Sequence, residues 1–361
     1  MAGHDSGEIR LAHADSHAAI TRGDGSHREA REEREHNELA AGATVSEGAG
    51  NRAIEETPDA WRTCFERDRD RILHATAFRR LAGKTQVFVF PEDHQRTRLT
   101  HALEVAQVAT AVARALRLNV ALTDAIALGH DCGHGPGGHA SEDALSPYIE
   151  GGYDHATWGA DVVLSPLNLC AETLDGIRNH SWSRPAPTTP EGEVVSWADR
   201  IAYVCHDFED AVDAAVVDAA SLPDAVAEHC GRRRSAQLRA FINDLVIGTL
   251  ATGKVAMTRE GAEALAAFRA FNYEHIYLRP ASVEQGQAVI RLLRSLTDRY
   301  LAQPELLPAS HRPAELMASS IDAARAAVTY VGGMTDRFAF RNAIDLLGWK
   351  PSQLPQGIDI R

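Results

Sequence analysis

His130 and Asp131 stand side by side in the run GHDCGHGPGGH at residues 129–139. His101 lies 29 positions before His130, and Asp199 lies 68 positions after Asp131. Two imidazoles and two carboxylates are a donor set that a hard or borderline divalent ion accepts. The carboxylates neutralise the dication, and coordination positions remain for water and a phosphate oxygen. An ion held this way acidifies its water and polarises a phosphoryl group, so the set points to metal-assisted phosphoester hydrolysis. His134, His139 and Glu142 stand close by. His139 and Glu142 are three apart and share a face where a helix begins near them. A carboxylate behind an imidazole fixes its tautomer and raises its basicity, which suits protonation of a leaving oxygen or orientation of an attacking water.

Each residue also has a plainer reading. His101 alone reads as a satisfied core histidine, and His130 with Asp131 as a hydrogen-bonding pair at a helix end. Asp199 alone reads as a surface carboxylate. Cys132, inside the motif, reads as a small buried side chain. What sets these residues apart is their occurrence together, on apolar helical patterns and beside a glycine-rich turn.

The elements that must position them are helical. In LTHALEVAQVATAVARALRL, His101, Val105, Val108 and Val112 follow i, i+4, i+7 and i+11, so His101 faces inward with the apolar stripe. VALTDAIALGHDCG predicts a helix that delivers His130 and Asp131 at its C-terminal end. Residues 133–138 break that helix with glycines and a proline. Residues 191–212 predict a helix with Asp199, Tyr203 and Asp207 at i, i+4 and i+8 on one face. ERDRDRILHATAFRRLAG predicts a helix placing Ile72, Ala75 and Arg79 near one face and stopping at Gly83. KTQVFVF predicts a short extended segment ending at Pro91, and SWSRPAPTTP at 181–190 a surface loop. The fold class expected is all-α, with few or no strands. The organisation expected is a largely mobile segment over 1–56, a core over 57–225 and a C-terminal helical region over 226–361 packed on it. The charged run REAREEREHNELAA reads as a solvated segment, with a short polar helix as the alternative.

A chain of 361 residues, 44% hydrophobic and 24% charged, has ordinary globular composition. No run of 18 apolar residues exists, which argues against a membrane span. The first residues carry Asp5 and Glu8 and no apolar stretch, so no signal peptide is expected. Five scattered cysteines with no CxxC fit a reducing cytoplasm. The net charge of −13 disfavours indiscriminate nucleic-acid binding, although the run GRRRS at 231–235 offers a local basic patch. No GxGxxG or GxxxxGK[ST] is present, so dinucleotide-fold and P-loop readings have no support.

Six blocks in order resemble the HD-domain family, and within it the deoxyguanosinetriphosphate triphosphohydrolase-like (dNTP triphosphohydrolase) proteins. They are RTCFERDRDRILHATAFRRLAGKTQVF at 62–88, RTRLTHALEVAQVA at 96–109, GHDCGHGPGGHASE at 129–142, LNLCAETLDGIRNH at 167–180, ADRIAYVCHDFEDA at 198–211 and GMTDRFA at 333–339. The resemblance implies an HD-domain helical bundle with additional C-terminal helices. It also implies one divalent ion per subunit on His101, His130, Asp131 and Asp199: Mn²⁺ or Mg²⁺ first, with Fe²⁺, Co²⁺ and Ni²⁺ also compatible. It makes His139 and Glu142 the catalytic pair and places His134 around the attacked phosphate. Arg98 matches a position that contacts the α-phosphate, and His155 is a phosphate contact. Gln86 matches a residue near the sugar, and Tyr203 and Asp207 face the deoxyribose. The implied reaction takes a deoxynucleoside triphosphate to deoxynucleoside and tripolyphosphate. The implied partners are a dNTP substrate, further copies of the chain up to a hexamer, a dNTP effector and single-stranded DNA. In YDHATW at 153–158, Ala156 and Trp158 replace the Asn and Gln of the family pattern, which leaves hydrolysis in place and weakens the case for guanine specificity. Two other readings stay open: an HD phosphohydrolase of nucleoside monophosphates or another nucleotide, and a non-enzymatic protein that senses nucleotides or binds nucleic acid.

Overall fold

The computed structural model describes residues 3–6, 9–20, 23, 25–89, 94–312 and 317–356. Their fold is almost entirely α-helical, as expected. The only strands among them are β1 (His4–Ser6) and β2 (Ile9–Leu11), paired antiparallel. The charged run that reads as solvated folds as helix α1 (Arg28–Glu38), with no buried residue. Ion pairs hold it in place of an apolar face. Arg28 meets Glu32 one turn on at 2.6 Å, and Arg31 meets Glu66. Glu35 accepts from the Ser46 amide at 2.7 Å and from Asn119 at 3.1 Å. Further along, the fully buried pair Arg52–Asp68 ties the N-terminal segment to the body at 2.6 Å.

Helix α2 (Cys64–His74) follows, then α3 (Thr76–Arg80). One helix was expected across this stretch. The chain instead extends at Ala75 (φ −69°, ψ 143°). The break rotates Phe78 into the core and leaves Arg79 exposed, away from the face of Ile72. The RDRD charges are spent on ion pairs: Arg67 and Arg71 share Glu56, and Arg69 meets Asp124. KTQVFVF forms no strand among its described residues; Thr85 makes one isolated bridge to Thr97, and Phe90 and Pro91 lie outside the described residues.

Helix α4 (Arg98–Leu116) begins where the Thr97 amide donates to Thr100 Oγ1 at 3.0 Å, and ends at Arg117 in the left-handed region (φ 56°). Its His101, Val105, Val108 and Val112 are all buried, as the spacing requires. Helix α5 (Val120–Gly129) is capped by Asn119, whose side chain accepts from the Leu122 amide at 3.1 Å. It is apolar nearly all round, so it is buried between α2, α4 and the later α9. Truncating its fully buried Ile126 to Ala costs about 2–5 kcal/mol on the scale of core deletions.

After the glycine-rich turn come α6 (Ala140–Leu145), α7 (His155–Trp158) and α8 (Ala171–Asn179). Helix α9 (Pro190–Asp213) starts with Pro190 in its first turn and Thr189 as cap, accepting from the Gly192 amide at 3.1 Å. Helices α10 (Asp224–Cys230), α11 (Arg234–Thr252) and α12 (Arg259–Asn272) pack on this bundle. Helices α13 (Pro280–Ala302), α14 (Ile321–Gly332) and α15 (Asp336–Leu347) close the fold.

Two large apolar clusters result. The first joins α2, α4, α5, α8 and α9 with Phe241, Leu245, Leu265 and Phe268 of α11 and α12. The second joins α13–α15 with Leu145, Tyr153 and Trp158 from the middle of the chain. The clusters therefore interleave across residue 225. Between them lies the turn that carries the chemistry.

Candidate metal centre and active site

His130 continues α5 in helical conformation, and Asp131 follows in the first tight turn. The turn doubles back sharply. A Cβ on Gly133 would lie 2.0 Å from the His155 carbonyl oxygen, so only glycine lets α7 approach this closely. Gly137 takes φ +72°, and its amide donates to Asp336 of α15 at 2.9 Å. On α7, Asp154 caps the amides of Ala156 and Thr157 at 2.9 and 3.1 Å, which presents His155 from the first turn.

The four candidate ligands converge. His101 Nε2 lies 3.0 Å from Asp199 Oδ1 and 3.9 Å from Asp131 Oδ2. His130 Nε2 lies 3.4 Å from Asp131 Oδ1 and 3.7 Å from Asp199 Oδ1. His130 Nδ1 sits 2.7 Å from the Ala127 carbonyl, so it must carry the hydrogen. Its Nε2 then offers a lone pair to the cluster. That atom is buried and has no hydrogen-bond partner. A buried orphan acceptor costs free energy unless something binds it, and a cation among two imidazoles and two carboxylates meets that need. The donor set fits a divalent ion.

The electrostatics agree. Burial opposes ionisation of Asp131, but the Arg98 guanidinium, 2.7 Å away, holds its carboxyl far below the usual range. Burial likewise opposes Asp199, and the hydrogen bond from His101 outweighs it, holding the carboxyl low. Burial pushes the His134 imidazole well down, with Arg98 adding to the effect, so His134 is neutral; its Nε2 lies 3.2 Å from Asp131 Oδ1. Glu142 sits between two imidazoles. It bonds His155 Nδ1 directly, while His139 Nδ1 stays 3.7 Å away. Burial works against the Glu142 carboxylate, and the His139 and His155 imidazoles on either side of it, with His155 bonded directly, hold it ionised. His155 is buried and stacks on His134 at 3.7 Å between ring centroids, whereas the His139 side chain is 75% exposed.

Most of these groups face one cavity of about 870 Å³. Its wall includes Arg98, His101, Asp131, His134, His139, His155 and Asp199, with Tyr203 and Asp207 further along α9. Gln86 lines it too, with its buried Oε1 unpartnered. Arg98 Nε is likewise buried without a partner. Asp207 Oδ1 is a third such atom, while its Oδ2 accepts from Tyr277 at 2.5 Å. The Tyr203 hydroxyl accepts from Arg269 Nε at 2.9 Å. Ala156 and Trp158 take no part in the cavity wall. Ala156 is fully buried, and Trp158 packs on Tyr153 in the second apolar cluster.

Four wall residues carry chemistry that the sequence reasoning missed: His180, Arg200, Arg269 and Tyr277. His180 closes a quoted block and follows α8 directly, a signal that could have been read. Arg200 follows Asp199; its guanidinium stacks on Trp182 at 3.5 Å, and its Nε has no partner. Arg269 and Tyr277 had no local signal.

Two family models match the chain: the HD domain over residues 98–204 and the phosphohydrolase-associated domain over 255–343. A deoxyguanosinetriphosphate triphosphohydrolase-like protein of Caldanaerobacter subterraneus subsp. tengcongensis is 40% identical over 336 residues, covering 91% of this chain and 96% of its own. One from Clostridium perfringens is 38% identical, covering 81% and 89%. In fold, the chain resembles a phosphohydrolase from Bacteroides thetaiotaomicron (TM-score 0.51, 17% identity, 78% of this chain and 68% of the other). It also resembles a hypothetical protein from Aquifex aeolicus (TM-score 0.50, 18% identity, 77% and 68%). The chain belongs to the HD-domain, deoxyguanosinetriphosphate triphosphohydrolase-like family. Its clustered His, Asp and Glu atoms suit a metal-dependent phosphohydrolase reaction. Among the described residues, no helix is long and apolar enough to cross a membrane.

Proposed function

We propose that this HD-domain protein hydrolyses deoxynucleoside triphosphates to deoxynucleoside and tripolyphosphate, with water attacking the α-phosphorus and the 5′-oxygen leaving. The observation that carries the reading is the single face of α9. Within one cavity it presents Asp199 to the ligand cluster and, two turns on, the unpartnered Asp207 Oδ1, a ready acceptor for a 3′-hydroxyl. The names of the relatives point the same way.

In this reading His101, His130, Asp131 and Asp199 hold a divalent ion, with Mn²⁺ or Mg²⁺ the first candidates. When bound, the ion supplies positive charge that acidifies water and polarises the phosphoryl oxygens. Arg98 presents its unpartnered Nε to the α-phosphate. Arg200 and Arg269 line the same cavity and add cations for the rest of the polyphosphate. His134, held neutral, orients groups around the attacked phosphorus. His139 is the general acid: it lies on the cavity wall, is open to solvent, and has the Glu142 carboxylate behind it. Tyr203 packs where a ribose 2′-hydroxyl would fall, and Gln86 contacts the sugar side. His155 is buried beside Glu142 and contributes positive charge near the phosphate. The five cysteines are free and buried, in keeping with action in a reducing cytoplasm.

Product analysis tests the proposal. The protein is incubated with each dNTP, alone and in pairs, with Mn²⁺ or Mg²⁺, and the products are separated by chromatography. Deoxynucleoside with tripolyphosphate is the expected result, and activity only in pairs identifies an effector. Monophosphate with pyrophosphate, or binding without turnover in every combination, overturns it.

A further inference from the structure

Lys84 is a buried ammonium, 3% exposed, that the proposed reaction leaves unused. Burial pushes it down from 10.5 to about 8, so its charge is held there against desolvation. Its hydrogen bonds among the described residues run to uncharged acceptors. One is the His134 carbonyl, and the other, at 3.1 Å, is the Gly332 carbonyl at the end of α14. Thr85, the next residue, reaches the same turn by a second route. Its amide and its hydroxyl donate to Asp336 Oδ2 at 3.0 and 2.5 Å, and Asp336 Oδ1 accepts from the Gly137 amide at 2.9 Å. Asp336 is buried at the start of α15, and both of its oxygens are taken by donors.

The turn is therefore held at His134 by Lys84 and at Gly137 by Asp336. Lys84 is itself anchored, since its carbonyl accepts from the Arg98 amide at 3.3 Å, where α4 begins. The attachment points come from three parts of the chain. The turn lies in the HD match, and Gly332 and Asp336 lie in the phosphohydrolase-associated match. Lys84 and Thr85 lie in neither. The His134 side chain has little to fix it. Its Nδ1 is buried without a hydrogen-bond partner, and its Nε2 lies 3.2 Å from Asp131 Oδ1. Where the imidazole stands thus depends on where the backbone at residue 134 is held.

We propose that Lys84 and Asp336 are positioning residues that act through His134. Together they clamp the turn to the C-terminal helices, and so set where the imidazole stands at the attacked phosphorus. The proposal rests on the role given to His134 above. Neither side chain lines the cavity, so neither touches substrate. Their loss should slow the chemical step and spare binding. A shift of about 1 Å at a reacting group lowers a rate on the order of 10²-fold.

Hydrogen exchange and steady-state kinetics on the full chain test this together. Lys84→Met keeps the reach of the side chain without its donors. Asp336→Asn keeps the shape but leaves only one oxygen to accept. In both variants the backbone amides of residues 132–138, followed by mass spectrometry, are expected to exchange about tenfold or more faster than in the wild type. Peptides from α11 and α12 are expected to keep their rates. With a dNTP that the wild type turns over, kcat per metal-loaded chain is expected to fall on the order of 10²-fold, with KM within about threefold. Unchanged exchange in the turn overturns the clamp, whatever the activity. Faster exchange in the turn with wild-type kcat overturns the positioning role. So does faster exchange throughout the chain, or a loss that vanishes once turnover is counted per metal-loaded chain, because either marks a merely structural role. A raised KM with unchanged kcat overturns it as well. No dNTP turnover by the wild type sinks the proposed function, and with it the role at the phosphorus, while exchange in the turn still decides whether the clamp exists.

Discussion

The Tyr277 hydroxyl donates to Asp207 Oδ2 at 2.5 Å, across 70 residues of sequence. It satisfies one carboxyl oxygen and leaves the other facing the cavity without a partner. Burial pushes the Asp207 carboxyl up from its ordinary 3.8 to about 7, with Asp210 adding repulsion.

That shift gives a signed pH prediction. Between pH 3.8 and about 7 the folded chain keeps a proton on Asp207 that the unfolded chain has released. The stability this proton contributes is full below the lower value and is lost as pH rises through the upper one. Relative to Asp207→Asn, the wild type should lose roughly 4 kcal/mol across that window. Urea unfolding at a series of pH values checks it. A difference that stays flat with pH means the carboxyl is not held protonated in the fold.

Asp199→Ala should lose both bound metal and activity. It removes a carboxylate that lies 3.0 Å from His101 and 3.7 Å from His130. Metal content and turnover are measured on the same preparation, and full metal retention rejects Asp199 as a ligand.

His139→Ala should keep metal and substrate binding while turnover falls about 10²–10⁴-fold, the usual worth of a general acid. The side chain is exposed, so its truncation leaves the core packing as it is. Near-normal turnover would remove His139 from the chemistry.

Tyr203→Ala should relax discrimination against ribonucleotides and release Arg269 from its 2.9 Å hydrogen bond. The readout is the ratio of kcat/KM for a dNTP to that for the matching NTP. An unchanged ratio moves sugar selection elsewhere in the cavity.

Residues on one helical stripe were legible because periodicity is local. His101 lies with Val105, Val108 and Val112 on α4, and Asp199, Tyr203 and Asp207 share a face of α9, as their spacing requires. The end of α5 at His130 was legible from the glycines after it. Long-range partners left no such trace. Nothing near Asp207 announces Tyr277, and nothing near Glu142 says that His155 rather than His139 makes the closer bond. Helix α1 stood only as the alternative to a solvated segment because periodicity registers apolar faces, while α1 is held by charges that meet Glu66, Ser46 and Asn119 far along the chain. The break at Ala75 was missed because the spacing of Ile72 and Arg79 fits a continuous helix; burial of Phe78 is what the fold selects.

Helix α9 has one more consequence. Asp199 and Asp207 are eight residues apart on continuous helix, so about 12 Å of axial rise separates them. Only unfolding can alter that length. With the sugar gripped at one end and the reacting phosphorus at the other, the helix acts as a gauge block. If the proposed substrate binds this way, the first phosphorus counted outward from the sugar would lie beside Asp199, and the second and third would lie beyond it. In the proposed reaction, the pitch of a helix would select the bond that breaks and so release the tripolyphosphate in one piece.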